Sequence, residues 1–191
     1  MKKIFSFLVV LLGLFLGTSY SQVTVTVGTG TTTTQYNPVY SYYGYNYTQQ
    51  IYTSAEITAG GATAGMQINA IRFYWNGTGN LTNTNVWTVY LGNTTQASFA
   101  NSSNWVALAS LTSVYNGNVA LPTAAGWMTI TLTTPYIWNG DNIVVAIDEN
   151  VASYGNTAYW CYTSTSSNYR ALYYYSDGTN PNPASPPSGI L

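Results

Sequence analysis

The chain has no histidine anywhere in its 191 residues. That removes the commonest general base and the commonest ligand of catalytic metals, so Ser-His-Asp, Cys-His and zinc-hydrolase mechanisms have no candidate residues. Charge is nearly as scarce: charged side chains make up 5% of the chain, and beyond residue 21 only Arg72 and Arg170 are positive. Two cations cannot neutralise a run of phosphates, which argues against nucleic acid and anionic membrane surfaces as partners. The one cysteine, Cys161, cannot form an internal disulfide, and within Tyr159-Trp160-Cys161-Tyr162 it reads as a buried, inert thiol. No segment beyond residue 21 carries a helical period.

Long apolar runs are also missing except at the start. Lys2 and Lys3 precede a predominantly apolar stretch from Ile4 to Leu16, and small residues around Ser19-Tyr20-Ser21 follow. This stretch falls short of the roughly 20 residues that span a bilayer. Its order of basic, apolar and small residues is that of a signal peptide cleaved before Gln22. The expected product is exported across the inner membrane, to be secreted or held at the cell surface, with no membrane insertion after cleavage. It carries the two arginines against Glu56, Asp141, Asp148, Glu149 and Asp177, a net charge of −3.

What the chain has in abundance is aromatic surface. Its 19 Tyr, 6 Trp and 5 Phe supply enough apolar area for one domain with a sizeable core. Period-two alternation predicts strands at Val23–Val27, Ile68–Trp75, Val86–Leu91, Trp127–Leu132, Ile143–Ile147, Ala158–Thr163 and Arg170–Tyr175. Between them Asn76-Gly77, Asn116-Gly117, Asn139-Gly140 and Asp177-Gly178 have the chemistry of tight turns. The fold class expected is therefore all-β, an antiparallel two-sheet sandwich, jelly-roll-like, over residues 22–178. Ile143–Ile147, apolar on both faces, belongs at the centre of a sheet. Trp127, Thr129, Thr131 and Thr133 alternate with Met128, Ile130 and Leu132, which gives that strand a Thr-lined outer face, and Pro135 is expected to end it. Residues 28–50 read as a long loop or irregular edge, and 179–191 as a Pro-rich linker or tail.

Few residues could carry chemistry. A glycosidase needs two carboxylates across a cleft, and Asp148 and Glu149, as neighbours on a strand, point to opposite faces. Arg72 and Arg170, if buried, need carboxylate partners, for which Glu56 and Asp148 are the candidates. Calcium is the one ion the residues could hold, through Asp141, Asp148, Glu149 and Asp177, although no EF-hand or nonapeptide spacing supports it and no cofactor is otherwise implied. The signal in excess of core needs is aromatic. Sugar rings present C–H faces that pack on Tyr and Trp while their hydroxyls meet amides, so a neutral glycan suits this composition. All six tryptophans sit in or beside expected strands, where core packing is the commoner role. The best exposed candidates are Tyr40, Tyr42, Tyr43 and Tyr45, then Trp127 and Trp138.

Several stretches resemble the amino-terminal domain of large exported surface proteins, adhesin-like and associated with type IX secretion, in gliding and related Bacteroidota. They are residues 28–57 (GTGTTTTQYNPVYSYYGYNYTQQIYTSAEI), 71–77 (IRFYWNG), 87–93 (WTVYLGN), 127–150 (WMTITLTTPYIWNGDNIVVAIDEN) and 173–187 (YYYSDGTNPNPASPP). The resemblance implies a jelly-roll-like module with an adhesive or glycan-binding association, in proteins where fibronectin type III modules or a sorting domain commonly follow. It brings no catalytic or ligand set with it. The function expected is a non-catalytic cell-surface binding module, adhesive or carbohydrate-binding, whose partner is a neutral glycan or a surface protein, with further domains of a longer parent chain as neighbours. The alternative is a structural spacer of a larger surface protein, and a glycoside hydrolase ranks last.

Overall fold

A computed structural model describes residues 22–166 and 168–191; residues 1–21, where the signal peptide is expected, lie outside the described residues. Among the described residues nine strands and one short α-helix follow in order, with a single 3-10 turn (Leu108–Ser110) before β5: β1 (Thr32–Thr34), β2 (Tyr45–Tyr52), α1 (Ser54–Ala59), β3 (Gln67–Trp75), β4 (Val86–Thr94), β5 (Thr112–Asn118), β6 (Gly126–Ile137), β7 (Asn142–Asn150), β8 (Trp160–Tyr162) and β9 (Ala171–Ser176). They form two antiparallel sheets, β1-β8-β3-β6 and β5-β4-β7-β2-β9. Strands 1, 8, 3 and 6 facing 5, 4, 7 and 2 is the connectivity of a jelly roll, to which β9 adds one strand beside β2. Among the described residues no helix is long and apolar enough to cross a membrane.

The core follows from the alternation. Met128, Ile130 and Leu132 of β6 and Phe73 and Trp75 of β3 meet Trp87, Val89 and Leu91 of β4 and Ile143, Val145 and Ile147 of β7. Burying an indole requires a partner for its N–H, and three tryptophans find one three residues away: Trp75 donates to the Thr78 carbonyl (2.8 Å), Trp87 to Thr84 (2.8 Å) and Trp138 to Asp141 (2.6 Å). β7, apolar on both faces, is the middle strand of the larger sheet as expected, because that sheet is covered on both sides. Its outer cover is the loop between β4 and β5, which lays Phe99 and Val106 on Ile51, Val144 and Leu172. Gly92 of β4 permits the approach, since a Cβ there would lie 2.7 Å from the Ser110 carbonyl oxygen. The segment 179–191, which read as a linker or tail, packs back on the domain at its end: Trp105 Nε1 donates to the Pro187 carbonyl (2.9 Å) and Ile190 pairs with Tyr173.

Several expectations need correction. Val23–Val27 is not a strand; its alternation is used to press Val25 against Gly60 and the core while Val23 stays exposed. Within 28–50 lies the beginning of β2, which is no loop but the strand between β7 and β9. Its polar sequence, Tyr45-Asn46-Tyr47-Thr48-Gln49-Gln50, hides an almost wholly buried element. A helix does form at Ser54–Ala59, started by a capping box in which Thr53 and Glu56 bond each other's backbone amides. Asn116-Gly117 is not a turn but part of β5, paired with Thr88 and Trp87. Pro135 does not end β6, which runs on to Ile137; the proline falls in the irregular stretch between Thr131 and Tyr136, where the ladder with β3 is interrupted and no N–H is needed. The Thr-lined outer face of β6 is present, with Thr129 and Thr131 exposed.

Candidate functional site

Because β9 extends the larger sheet past the strands that face the smaller one, its inward side chains overhang the shared core. Register places Tyr173 and Tyr175 on that inner side, level with Thr48 and Asn46 of β2. Across from them lie the residues after β1 and the short β8. The space between is a groove of about 700 Å³ whose lining includes Tyr36, Asn37, Gln50, Tyr52, Trp160 and Tyr173.

The tyrosines form a connected row. Tyr36 stacks on Tyr173 (5.0 Å between ring centroids) and meets Tyr40 edge-on (5.1 Å); Tyr40 and Tyr43 both pack on Tyr175 (5.0 and 4.2 Å). Tyr42 continues the row towards Tyr154 (6.2 Å). The turn that carries Tyr40–Tyr43 is fixed from beneath by Asn46, which accepts from the Tyr40 amide (3.0 Å) and donates to the Tyr43 carbonyl (3.2 Å). Ser41, fully buried, ties the same turn to the strand-like segment before β8 through the Asn156 carbonyl and the Ala158 amide.

Polar groups in the groove are incompletely paired. Asn37 Oδ1, Gln50 Nε2, Trp160 Nε1 and Arg170 Nε are all buried without a hydrogen-bond partner in the protein. Buried polar atoms are satisfied in the great majority of cases; four of the eight unpartnered ones among the described residues line this groove, and the others, on Thr84, Asn93, Asp148 and Glu149, lie elsewhere. Charge is absent in net terms. Arg170 Nη1 donates to Glu56 Oε2 at 2.6 Å, the ion pair expected for this arginine. Burial pushes the Glu56 carboxyl up, but hydrogen bonds from the Thr53 hydroxyl, from Arg170 and from the Thr53 amide outweigh it, and the group ends below its ordinary value. Burial holds the Tyr52 and Tyr173 phenols up at about 12, so both stay neutral. Glu56 is the only acidic side chain among the lining residues, which leaves no facing carboxylate pair in the groove.

The residues singled out in the sequence are only partly brought together. Tyr40, Tyr42 and Tyr43 join the row, with Tyr42 52% exposed. Tyr45 does not: it pairs with Asn150 and Ser176 on the outer side of β2. Trp138 is a correction, since it is 2% exposed and belongs to the core, held there by its bond to Asp141. Trp127 is exposed at 44%, but on the outer face of the smaller sheet, against Tyr74 (5.2 Å) and under the guanidinium of Arg72 (5.8 Å). Arg72 is itself exposed and needs no carboxylate.

The four acids proposed for calcium do not converge, and no group of three His, Cys, Asp or Glu suited to a metal occurs among the described residues. Asp141 precedes β7 and bonds Asn139, whereas Asp148 and Glu149 lie at the far end of that strand on opposite faces, and Asp177 accepts from the Gly44 amide. The residues that sequence reasoning missed are Asn37, Gln50, Tyr52 and Tyr173. Three consecutive tyrosines, 173–175, conceal which of them faces inward, and a polar strand gives Gln50 no apolar contrast to mark its side. No family model, curated protein or solved structure matches the chain.

Proposed function

We propose that the protein is an exported, non-catalytic binding module of the cell surface that takes a neutral glycan in the groove between β9 and β8. The observation that carries this reading is the set of four buried, unpartnered polar atoms of Asn37, Gln50, Trp160 and Arg170 lying among tyrosine rings. A sugar offers both things this site lacks: hydroxyls that donate and accept, and C–H faces for Tyr36 and Tyr173. The internally neutralised Glu56–Arg170 pair supports an uncharged ligand over an anionic one. The lack of a facing carboxylate pair, together with the absence of histidine, supports binding without catalysis.

A spacer role is the second reading, and the close mutual packing of Tyr43 and Tyr175 favours it, since such rings stabilise one another without a ligand. A glycan array with the chain from Gln22 onward separates the two. The binding reading expects saturable retention of neutral glycans, unchanged by a calcium chelator, lost in Tyr173→Ala and kept in Trp127→Ala. Retention of no glycan by a folded protein, with Tyr173→Ala lowering only the melting temperature, would establish the spacer instead.

A further inference from the structure

We propose that the glycan is a linear chain several sugars long, which enters the groove at one end and runs along the tyrosine row to a second cleft beside Tyr154. This rests on the glycan reading above and adds the length and direction of the ligand. The second cleft, of about 340 Å³, is lined by Asn80, Thr82, Tyr154, Gly155 and Asn156, so amides and a hydroxyl surround one aromatic ring. It is a small repetition of the chemistry of the groove.

The two depressions are not independent features of the surface. From Tyr154 the rings step to Tyr42 (6.2 Å), to Tyr40 (6.2 Å), to Tyr36 (5.1 Å) and to Tyr173 (5.0 Å), where the groove begins. Tyr36, Tyr42 and Tyr154 are exposed, Tyr154 at 60%, and Tyr40 and Tyr173 are half-buried, so the row is accessible along its length. Its far end is held in place: the Gly155 amide donates to the Ser41 carbonyl at 2.9 Å, and a Cβ on Gly155 would run into the Thr82 carbonyl oxygen. The loop bearing Tyr154 is thereby locked to the turn bearing Tyr42. A single terminal sugar would use one depression and leave this continuous aromatic row idle, whereas a linear chain meets a polar pocket at each end and a succession of ring edges and faces between them.

Titration calorimetry on the chain from Gln22 onward tests this, using cello-, xylo-, manno- and laminari-oligosaccharides from disaccharide to hexasaccharide, with a proline-rich peptide as a competing class. Affinity is expected to climb with length, and Tyr154→Ala to remove about fivefold from the hexasaccharide, the scale of one aromatic contact, while leaving the disaccharide unchanged. Tyr173→Ala is expected to weaken every length. Affinity independent of length, or a hexasaccharide indifferent to Tyr154→Ala while Tyr173→Ala still weakens binding, would overturn the linear chain and spare the groove. Binding of the peptide alone, or of no saccharide at all, would overturn both.

Discussion

Gln49 and Gln50 are neighbours on β2, and their side chains meet opposite fates. Gln49, on the outer side, is completely used: its Oε1 accepts from the Val106 amide (2.8 Å), and its Nε2 donates to the Val106 carbonyl (2.8 Å) and the Tyr47 hydroxyl (3.0 Å). Gln50, on the inner side, accepts from the Tyr52 hydroxyl (3.1 Å) but leaves its Nε2 buried and unpartnered at the groove. The outer face has been closed by the chain itself, with the loop between β4 and β5 laid over it and the end of the segment 179–191 bonded to that loop. The groove has been left open, and it keeps its unmet hydrogen bonds. Adjacent residues of one polar strand thus differ in how fully the protein itself satisfies them.

The next strand carries two buried acids, Asp148 outward and Glu149 inward, each with one unpartnered oxygen, and gives the largest expected effect. Burial pushes the Glu149 carboxyl from 4.5 up to about 8, and that of Asp148 from 3.8 up to about 6. The folded state therefore holds protons that the unfolded chain releases, so stability is full below about pH 4 and declines as pH rises towards 8. The loss should amount to several kcal/mol, the larger share from Glu149. Thermal melts across this range should show Glu149→Gln removing most of the slope, with the variant more stable than the parent at pH 8 and no more stable at pH 4. A melting temperature that rises with pH would contradict the assignment.

On the closed side, Gln49→Ala leaves the Val106 amide and carbonyl buried and unpaired, and should cost about 3 kcal/mol in chemical denaturation. Trp105→Ala, which loses packing on Tyr47 and the bond to the Pro187 carbonyl, should cost about 2 kcal/mol. It should also expose residues 180–190 to limited proteolysis. On the open side the main loss is expected in binding. Gln50→Leu, which removes an unsatisfied donor but also takes the acceptor from the Tyr52 hydroxyl, should cost about 1 kcal/mol, less than Gln49→Ala, while abolishing glycan binding. Equal destabilisation by the Gln49 and Gln50 substitutions would dissolve the comparison.

What could be read in the sequence was whatever alternation marks. The Thr face of β6 and the two-sheet architecture follow from apolar residues recurring at every second position, and the central place of β7 from an unbroken apolar run. β2 escaped because most of its buried side chains, Asn46, Tyr47, Thr48 and Gln49, are not aliphatic, and the polar ones find hydrogen-bond partners, at Tyr40, Tyr43, Pro38 and Val106, that alternation does not mark. The candidate site escaped for the same reason. Tyr40, Tyr42 and Tyr43 stood out as a local cluster, but the rings that complete the row, Tyr173 and Tyr175, arrive from the other end of the chain through β9 pairing with β2. Trp138, named among the exposed candidates, lies in the core because the Asp141 carbonyl three residues on accepts from its indole N–H.

The most direct test of the groove is the indole N–H spectrum of the protein during titration with a neutral oligosaccharide. The indoles of Trp75, Trp87, Trp105 and Trp138 already donate to backbone carbonyls, and Trp127 lies on the other sheet's outer face; Trp160, 1% exposed, is buried at the groove with its N–H unpartnered. A ligand that supplies the missing acceptor should shift the Trp160 signal saturably and leave the Trp127 signal in place. A saturable shift of Trp127 with Trp160 unmoved would put the binding surface on the opposite side of the molecule and contradict the account.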